Sequence, residues 1–309
     1  MKFDIIIPFK DSMNFLPGIC SDLNNQSDLN FNVYFVSDHC EDNSIVFLND
    51  SVFRFKYEIL YSSGEGPGSA RNHGVKKSTS DYILFIDADD RICKDYVSEF
   101  KHKACENHSD IIECMYRSVN EEGQVISGTK IEDYVSGSDR FLSLLLGELP
   151  RLSWGKAYKR SYLSKENVTF PEGVHNGEDH IFLLQAYKHS PRIDLLYKRL
   201  YSWVRYKTSL TNRPVNKKTI EDFINVSIMK DEMISSYVME GDFNYLLFSR
   251  RVFKEARALK NKILNDGQAD SVELIEFLKS LIIDDDRFAN ISMSIKYDAD
   301  TDYWNDIFG

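Results

Sequence analysis

The sequence is poor in cysteine and contains no pair of cysteines in a CxxC spacing. Its five cysteines are odd in number, so they cannot all pair in disulfides. Free thiols in a reducing compartment fit this usage best. No run approaches the ~20 apolar residues that a membrane crossing needs, and the first ten residues, interrupted by Pro8, are too short for a signal peptide. We therefore expect a cytoplasmic protein.

Two nucleotide-binding signatures are also missing. The glycine-rich loop at residues 64–68 matches neither the Walker pattern nor the dinucleotide fingerprint, which disfavours a P-loop kinase and a dehydrogenase. A net charge of −10 and a pI near 5.3 argue against a general nucleic-acid binder. What the chain does have is 309 residues, 42% of them hydrophobic, which is enough to build the core of one large domain or two modest ones.

The charge is unevenly distributed along the chain. Residues 151–218 contain 14 lysines and arginines against 5 acids, a net charge of +9, whereas the segments on either side are acidic. A basic segment in an acidic chain favours contact with phosphates, an anionic acceptor or an anionic membrane. An ordinary solvated surface explains most of these lysines equally well. A peripheral position at the inner face of the membrane therefore stays open as an alternative.

Short apolar strands alternate with helical segments in the first half of the chain. The predicted strands are Phe3–Ile7, Phe31–Val36, Tyr57–Tyr61 and Tyr82–Ile86. The last has no polar residue, which is typical of a strand buried on both faces. The sequence therefore predicts an α/β fold with a mostly parallel sheet flanked by helices. From Lys217 onward, apolar residues recur at helix spacing. We therefore predict two parts, a catalytic domain at 1–215 and a helical region at 216–309.

Polar side chains follow these strands at what should be one edge of the sheet, where open α/β sheets bind ligands. Asp87 and Asp89 directly follow the fourth strand, and carboxylates at i and i+2 of an extended segment point the same way. Such a pair suits a hard divalent cation, which prefers oxygen ligands, although a solvated acidic turn explains it too. Asp90 is expected to support the turn. The nucleotide contacts expected at this edge are Pro8, Phe9, Asp38, Arg71, Asp87 and Ala88.

Later segments supply candidates for the sugar and the acceptor. Glu178 and Asp179 begin a predicted helix, where acids are also favoured by the helix dipole alone. The functional interpretation is a general base in this pair that takes a proton from an acceptor hydroxyl, and Glu178 is also a candidate for an acceptor-binding role. His180 is a candidate ligand for the metal or the acceptor, or a packing residue. Trp154 is a candidate for stacking on a sugar, although a single tryptophan more often lies in the core.

Taken in order, these motifs resemble the family 2 glycosyltransferases of GT-A fold, inverting enzymes that use nucleotide sugars. The resemblance covers about residues 3–213. This chain has Ser37 where the family commonly has the first of two aspartates. The segments that carry the resemblance are IIIPFKD, VSDHCED, GSARNHG, FIDADD, WGKAYKRSYL and EGVHNGEDHIF.

The resemblance implies a GT-A, Rossmann-like fold and a hexosyl- or N-acetylhexosaminyltransferase of bacterial surface glycan synthesis. The match at Asp38 implies a UDP-sugar donor, the DxD motif implies Mn²⁺ or Mg²⁺, and the ED pair implies Asp179 as base. The spacing of Tyr201, Arg205 and Ser209 is similar to a motif that closes over the diphosphate. The acceptor expected from the resemblance is a glycan, a lipid-linked intermediate or a polymer.

Two other interpretations stay open. A nucleotidyltransferase uses a similar sheet, metal and nucleotide, but normally carries a glycine-rich basic signature after the first strand, which PFKD does not supply. A catalytically inactive nucleotide-binding or assembly module would be expected to lose the DxD or the ED acids, and both are present. The apolar tail at 297–309 is expected to dock on its own chain or on a second subunit, so a homo-oligomer is also open.

Overall fold

The computed structural model describes residues 1–129, 139–207, 213–237, 245–296, 298 and 302–309. The chain divides into two compact units. Unit 1 comprises Met1–Gly137, Leu152–Gly173 and Phe182–Lys207, and unit 2 comprises Ser138–Arg151, Val174–Ile181 and Thr208–Gly309. These units differ from a simple division at residue 215, because two short segments before that residue, Ser138–Arg151 and Val174–Ile181, belong to unit 2.

The described part of unit 1 is organised around a nine-stranded mixed sheet. Its strands are β1 (Phe3–Phe9), β2 (Phe31–Ser37), β3 (Lys56–Tyr61), β4 (Tyr82–Phe85), β5 (Arg91–Ile92), β6 (Ile111–Asn120), β7 (Val125–Gly128), β8 (Lys156–Lys159) and β9 (Ile193–Arg205). Their order is β3-β2-β1-β4-β8-β6-β9-β5, with β7 beside β6. Strands β1 to β4 are parallel, and β8 is antiparallel to both of its neighbours. The predicted α/β class is confirmed, and the sheet is more mixed than the sequence suggested.

Helices follow most of the strands and make up the described part of unit 2. In chain order they are α1 (Leu16–Asn24), α2 (Ser44–Asp50), α3 (Gly66–Lys77), α4 (Tyr96–Asn107), α5 (Arg140–Leu145), α6 (Arg160–Lys165), α7 (Glu178–Lys188), α8 (Lys217–Tyr237), α9 (Tyr245–Asn265), α10 (Ser271–Asp284), α11 (Ala289–Lys296) and α12 (Tyr303–Phe308). Helix α7 begins in unit 2 and continues in unit 1. None of the described helices has the length and apolarity that a membrane crossing requires.

Strand β1 lies at the centre of the parallel part of the sheet, and all seven of its residues are buried. Phe3, Ile5 and Ile7 belong to the main hydrophobic cluster of unit 1. Asp4 interrupts this apolar run and is fully buried. Its carboxylate accepts hydrogen bonds from the hydroxyls of Ser78 and Ser80, both at 2.6 Å, so its burial is compensated.

Strand β1 continues through Pro8, whereas the sequence predicted that the proline would end the regular ladder. Pro8 pairs with Val36 of β2, and Phe9 pairs with Ser37. The Ile6 carbonyl faces β4 and accepts from the Ile86 amide at 3.2 Å. Pro8, two residues on, faces the same side at a point where the β4 pairing has already ended, so its missing N–H costs no ladder hydrogen bond.

The C-terminal tail docks on its own chain within unit 2, one of the two outcomes that the sequence left open. Ile307 of α12 is fully buried, and the Trp304 ring lies 6.1 Å from the Phe253 ring of α9. Lys260 donates to the carbonyls of Asp306 and Ile307 at 2.7 and 3.2 Å. The apolar character of the tail is therefore explained by packing against α9.

Candidate functional site

Asp38 lies immediately after β2, at the carboxyl edge of the parallel strands. Both oxygens of its carboxylate accept from the backbone N–H of Gly66 at 3.1 Å, at the first residue of α3. The N-terminus of a helix carries partial positive charge, so it stabilises a carboxylate there. The Asp38 amide also donates to the Phe9 carbonyl at 2.8 Å. These contacts hold Asp38, Phe9 and the start of α3 together, as predicted from the strand order.

The DxD motif, predicted to bind a metal ion, forms a tight turn at the end of β4. The Asp90 amide donates to the Asp87 carbonyl at 3.2 Å, so the turn spans residues 87–90. The Asp87 carboxylate, 28% exposed, pairs with the Arg71 guanidinium at 2.7 Å. Arg71 is buried and lies 5.2 Å from the centre of the Phe170 ring. In the structure Arg71 contacts Asp87 of the DxD turn, and its predicted contact with a phosphate stays a prediction.

Strand β9 fixes this turn from the other side. The Asp87 amide donates to the Tyr201 hydroxyl oxygen at 3.2 Å, and the same hydroxyl donates to the Asp90 carboxylate at 2.7 Å. The second oxygen of Asp90 accepts from the Val204 amide at 2.9 Å. Asp90 is only 2% exposed. It therefore supports the turn, as expected, and leaves Asp87 and Asp89 as the partly exposed acids.

The acids of the turn carry more negative charge than Arg71 balances. Burial, and then the neighbouring charge of Asp87, raise the pKa of Asp89 to about 6. Burial, followed by Asp87 and Asp89, raises the pKa of Asp90 well above its usual range. A raised carboxyl pKa means that the ionised form is destabilised where it stands. A cation placed between Asp87 and Asp89 would relieve that cost, so the donor set fits a divalent metal ion.

The protein supplies only part of a metal coordination shell here. Among the described residues, the one group of three potential ligands within reach of each other is Asp11, Cys40 and Asp42, in another loop. Two of its carboxylate oxygens already accept from backbone amides, Asp11 from Glu41 and Asp42 from Met13. A metal ion held by Asp87 and Asp89 therefore needs further oxygens from water or from a phosphate, as Mg²⁺ sites with substrate phosphates do.

Trp154 does not offer a face to a sugar, so its prediction as a stacking platform is wrong. The side chain is 3% exposed, and its ring stacks on Tyr201 with centres 4.3 Å apart and planes 7° apart. Tyr116 meets the indole edge-on at 5.1 Å. The ring therefore belongs to the core, where it holds the Tyr201 ring that in turn fixes the metal turn.

Arg205, at the end of β9, is the exposed member of the predicted diphosphate-closing pair. Its guanidinium lies 3.5 Å from the centre of the Trp203 ring, and its Nε donates to the Ser118 hydroxyl at 3.0 Å. Ser209 lies outside the described residues. Pro8 and Ala88 are buried at the same edge of the sheet as Asp87.

The ED pair begins α7, as predicted, and its side chains at this end belong to unit 2. Glu178 is 8% exposed, and Asp179 is partly exposed. Gly177 precedes them with φ +96°, in the region that favours glycine. A Cβ at Gly177 would also lie 3.1 Å from the Val226 side chain. A glycine is therefore required for the chain to enter α7 at this angle.

A buried aspartate of α8 holds the loop that leads to the ED pair. Asp222 is fully buried, and its carboxylate accepts from the amides of His175 and Asn176 at 3.0 and 3.2 Å. Its other oxygen accepts from Lys218 at 2.6 Å. Asp222 thus fixes the backbone two residues before Glu178, although its sequence position in a helical stripe gave no sign of this role.

His180 is enclosed within unit 2, and its role as a metal or acceptor ligand stays a prediction. It is 1% exposed, and its Nε2 lies 3.1 Å from the Leu144 carbonyl oxygen. Burial, followed by the charge of Lys230, lowers the pKa of the imidazole well below its usual range. The alternative that the sequence allowed, a packing role, describes its position. Convergence of Asp179 with the nucleotide residues of unit 1 stays a prediction.

Comparison with a family model gives a match to Glycosyl transferase family 2 over residues 4–166. Among curated proteins, the poly(ribitol-phosphate) beta-N-acetylglucosaminyltransferase TarS of Staphylococcus aureus is 27% identical over 281 residues, 87% of this chain and 48% of the relative. A poly(ribitol-phosphate) beta-glucosyltransferase of Bacillus spizizenii is 30% identical over 204 residues, 63% of this chain and 31% of the relative. The chain thus spans half or less of the length of these relatives.

Solved structures show the same fold at low identity. The crystal structure of S. aureus TarS residues 1–349 with UDP has a TM-score of 0.65 and 19% identity, and the match covers 96% of this chain and 91% of that one. A mannosyltransferase of Pyrobaculum calidifontis with GDP-mannose and Mn²⁺ has a TM-score of 0.50 and 12% identity, with coverage of 99% and 85%. At these identities the match establishes the fold alone.

Proposed function

Since the chain belongs to glycosyl transferase family 2, whose model matches more than half of it, we propose that it transfers a sugar from a nucleotide sugar to an acceptor hydroxyl in cell-surface glycan synthesis. The observation that carries this proposal is the turn at 87–90. Of its two partly exposed acids, Asp87 is held by Arg71 through its carboxylate and by Tyr201 through its backbone amide, and Tyr201 also holds the buried Asp90. Such rigid placement suits a site that binds a diphosphate through a metal ion.

The donor we propose is a UDP-sugar. Asp38 stands at the edge of the sheet, where its carboxylate can accept from a base N–H. The similar TarS fragment has been solved with UDP and with UDP-GlcNAc. The two curated relatives are named for N-acetylglucosamine and glucose transfer, so both sugars are candidates here.

The proposed reaction is a single displacement at the anomeric carbon. The Asp179 carboxylate accepts the proton of the acceptor hydroxyl, and the acceptor oxygen forms the new glycosidic bond as the bond to the diphosphate oxygen breaks. Attack from the face opposite the leaving group inverts the anomeric configuration. UDP leaves with the bonding electron pair, and the proton stays on Asp179.

Asp87 and Asp89 are the residues proposed to hold Mn²⁺ or Mg²⁺. When bound, such an ion supplies positive charge that offsets the charge developing on the diphosphate. Arg71 keeps Asp87 oriented through their 2.7 Å contact. Tyr201 fixes the backbone of the same residue. These contacts pre-organise the turn before a ligand arrives.

The acceptor we propose is a polymer of cell-surface glycan type, and we place the reaction in the cytoplasm, where nucleotide sugars are made available. Poly(ribitol phosphate) is the polymer in the names of both curated relatives. It is therefore the first acceptor to try.

The test is a screen of UDP-GlcNAc, UDP-glucose and GDP-mannose with poly(ribitol phosphate), in Mn²⁺ and in EDTA. We expect metal-dependent release of UDP from one UDP-sugar, increased by the polymer. Equal release in EDTA would contradict the metal, and release from GDP-mannose alone would contradict the donor. No release above the rate of an Asp87→Asn variant under every condition would contradict glycosyl transfer.

A further inference from the structure

Three cationic side chains of unit 2 share a single carboxylate. Glu255 of α9 accepts from Arg151, from Arg251 at 2.9 Å and from Lys230 of α8 at 3.4 Å. These residues come from three separate parts of the sequence, so the cluster is a product of the fold. One carboxylate and three cations give this four-residue cluster a net charge of about +2.

The excess charge has no other partner in the part of the chain that the structure describes. Within the described ranges, the hydrogen bonds and ion pairs of the Arg151, Lys230 and Arg251 side chains are those to Glu255. Lys230 is 2% exposed. Burial lowers the pKa of Lys230 to about 8, and the two arginines add to this effect. Lys230 thus shares its one carboxylate with two partly exposed arginines, and an anion bound at this cluster would offset the remaining positive charge.

A buried imidazole nitrogen points to the same conclusion independently. His180 Nε2 faces the Leu144 carbonyl, whereas Nδ1 is buried with no hydrogen-bond partner. The charges that act on this ring most strongly are those of Lys230, Arg151 and Arg251, so it lies beside the cluster. Buried polar atoms are rarely left unsatisfied, and each one calls for an explanation such as an absent ligand.

Gly147 makes room for the Arg251 guanidinium. The backbone of Gly147 has φ +77°, and a Cβ there would lie 2.4 Å from Arg251 Cζ. Any side chain at this position would displace the guanidinium. The arginines remain reachable from solvent, with 31% of the Arg151 side chain and 28% of the Arg251 side chain exposed. The cluster is thus built into the fold, and its two arginines are partly accessible to solvent.

We propose that Arg151, Lys230 and Arg251, with His180 beside them, form a phosphate-binding site in unit 2. The planar donor fork of arginine matches the tetrahedral oxygens of phosphate, and a lysine adds a compact charge. A phosphate group carries the charge of one or two units that the cluster lacks. Glu255 orients the three cations and limits their mutual repulsion.

The natural source of this phosphate is a phosphodiester of the acceptor polymer, a statement that rests on the proposed function. His180 directly follows Asp179 in the first turn of α7. A phosphate bound beside His180 would therefore hold an acceptor close in sequence to the proposed base. Free phosphate is the other source of the same chemistry, and the experiment separates the two.

The first measurement is the melting temperature of the full chain against the concentration of methyl phosphate, with no donor present. A ligand that binds the folded state raises the melting temperature in a saturable way. We expect Arg251→Gln and Arg151→Gln each to weaken the apparent affinity by about tenfold, the value of one charged hydrogen bond. Arg257→Gln is the matched control, because Arg257 lies on the same helix but pairs with its own carboxylate, Asp306, at 2.9 Å.

The variant Glu255→Gln gives a prediction of opposite sign. Removing the carboxylate should lower the melting temperature without ligand, because three cations then repel each other. It should raise the apparent affinity for methyl phosphate by about fivefold, because less negative charge opposes the ligand. If the cluster only stabilised the fold, the melting temperature would fall but the affinity for methyl phosphate would not rise. If Glu255→Gln does not fold, the two arginine variants still decide the matter.

Two results would overturn the site: no saturable stabilisation of the wild-type chain, or an Arg251→Gln response equal to that of Arg257→Gln. The source is decided by repeating the titration with poly(ribitol phosphate). Tighter binding of the polymer than of methyl phosphate per phosphate group supports an acceptor site, and binding of methyl phosphate alone overturns that assignment. Because no donor is used, failure here is distinguishable from failure of sugar transfer.

Discussion

Two charged clusters, one in each compact unit, carry opposite imbalances. In unit 1 the turn at 87–90 places three carboxylates beside Arg71. In unit 2, Glu255 alone faces three cations. Burial disfavours the charged form at both places: it raises the pKa of Asp89 to about 6, and it lowers the pKa of Lys230 to about 8. We therefore propose a ligand of the opposite sign for each cluster, a cation in the first case and an anion in the second.

The two clusters also differ in how they are held. The turn of unit 1 receives hydrogen bonds from Tyr201 and Val204, more than a hundred residues away in sequence. The cluster of unit 2 is held largely by its own charges around Glu255. The turn of unit 1 should therefore keep its conformation without a ligand. The conformation of the unit 2 cluster should instead depend on the balance between Glu255 and its three cations. The predictions below test this difference.

Asp87→Asn should have the largest effect, because it removes a metal ligand and the partner of Arg71 together. We expect no detectable metal-dependent UDP binding and a loss of transfer of about 10³-fold or more. Calorimetric titration and UDP release measure the two effects. Asp50→Asn, at an exposed position of α2, is the control and should behave as wild type. Unchanged UDP binding in Asp87→Asn would remove this acid from the site.

Asp179→Asn should separate the two units by function. UDP binding in Mn²⁺ should stay as in wild type, because the binding residues belong to unit 1. Transfer should fall by about 10²- to 10⁴-fold, the usual contribution of a general base. The exposed Glu172, in the loop before α7, provides the control variant Glu172→Gln. Full transfer by Asp179→Asn would mean that another group accepts the proton.

Tyr201→Phe tests whether the hydroxyl clamps the turn. The ring keeps its stacking on Trp154, but the buried Asp90 loses one of its two donors. We expect the free energy of unfolding to fall by about 1–3 kcal/mol and the affinity for Mn²⁺ with UDP to weaken. Urea unfolding measures the first. Tyr197→Phe, on the exposed part of β9, should change neither. Equal stability of the two variants would contradict the clamp.

The pH dependence of stability tests the cluster of unit 2 and should show the smallest effect. The charges of Lys230 and Arg151 hold the pKa of Glu255 near 2, below its ordinary value of 4.5, although burial opposes them. Its stabilising contribution is therefore complete above about pH 4.5 and is lost as the pH falls toward 2. Between pH 4.5 and 2, the free energy of unfolding measured in urea should fall less steeply for Glu255→Gln than for wild type. Glu276→Gln, exposed on α10, should follow wild type.

The sequence predicted the parts of the fold that depend on local pattern. The apolar run of β4 with its terminal acids and the helical region after residue 215 are confirmed. The resemblance to family 2 is confirmed by the family model. Strand β8 lies antiparallel between β4 and β6. A strand of four residues is too short to show a periodic pattern in the sequence. The antiparallel part of the sheet was therefore not predicted.

The errors at the site concern residues whose role depends on long-range packing. Trp154 has a side chain suited to stacking on a sugar, yet tertiary contacts bury it. Tyr201 was noted only for its spacing, and its hydroxyl bond to Asp90 spans 111 residues. Asp222 lies in an amphipathic stripe and caps a loop 46 residues earlier. Residue type and spacing carry no information about such partners.

The most direct test of the central claim is a calorimetric titration of UDP into the wild-type chain, in Mn²⁺ and in EDTA. The claim is that Asp87 and Asp89 form a cation site through which unit 1 binds the diphosphate. It predicts saturable UDP binding in Mn²⁺ and none at the same concentrations in EDTA. Binding of equal affinity in both solutions would contradict it.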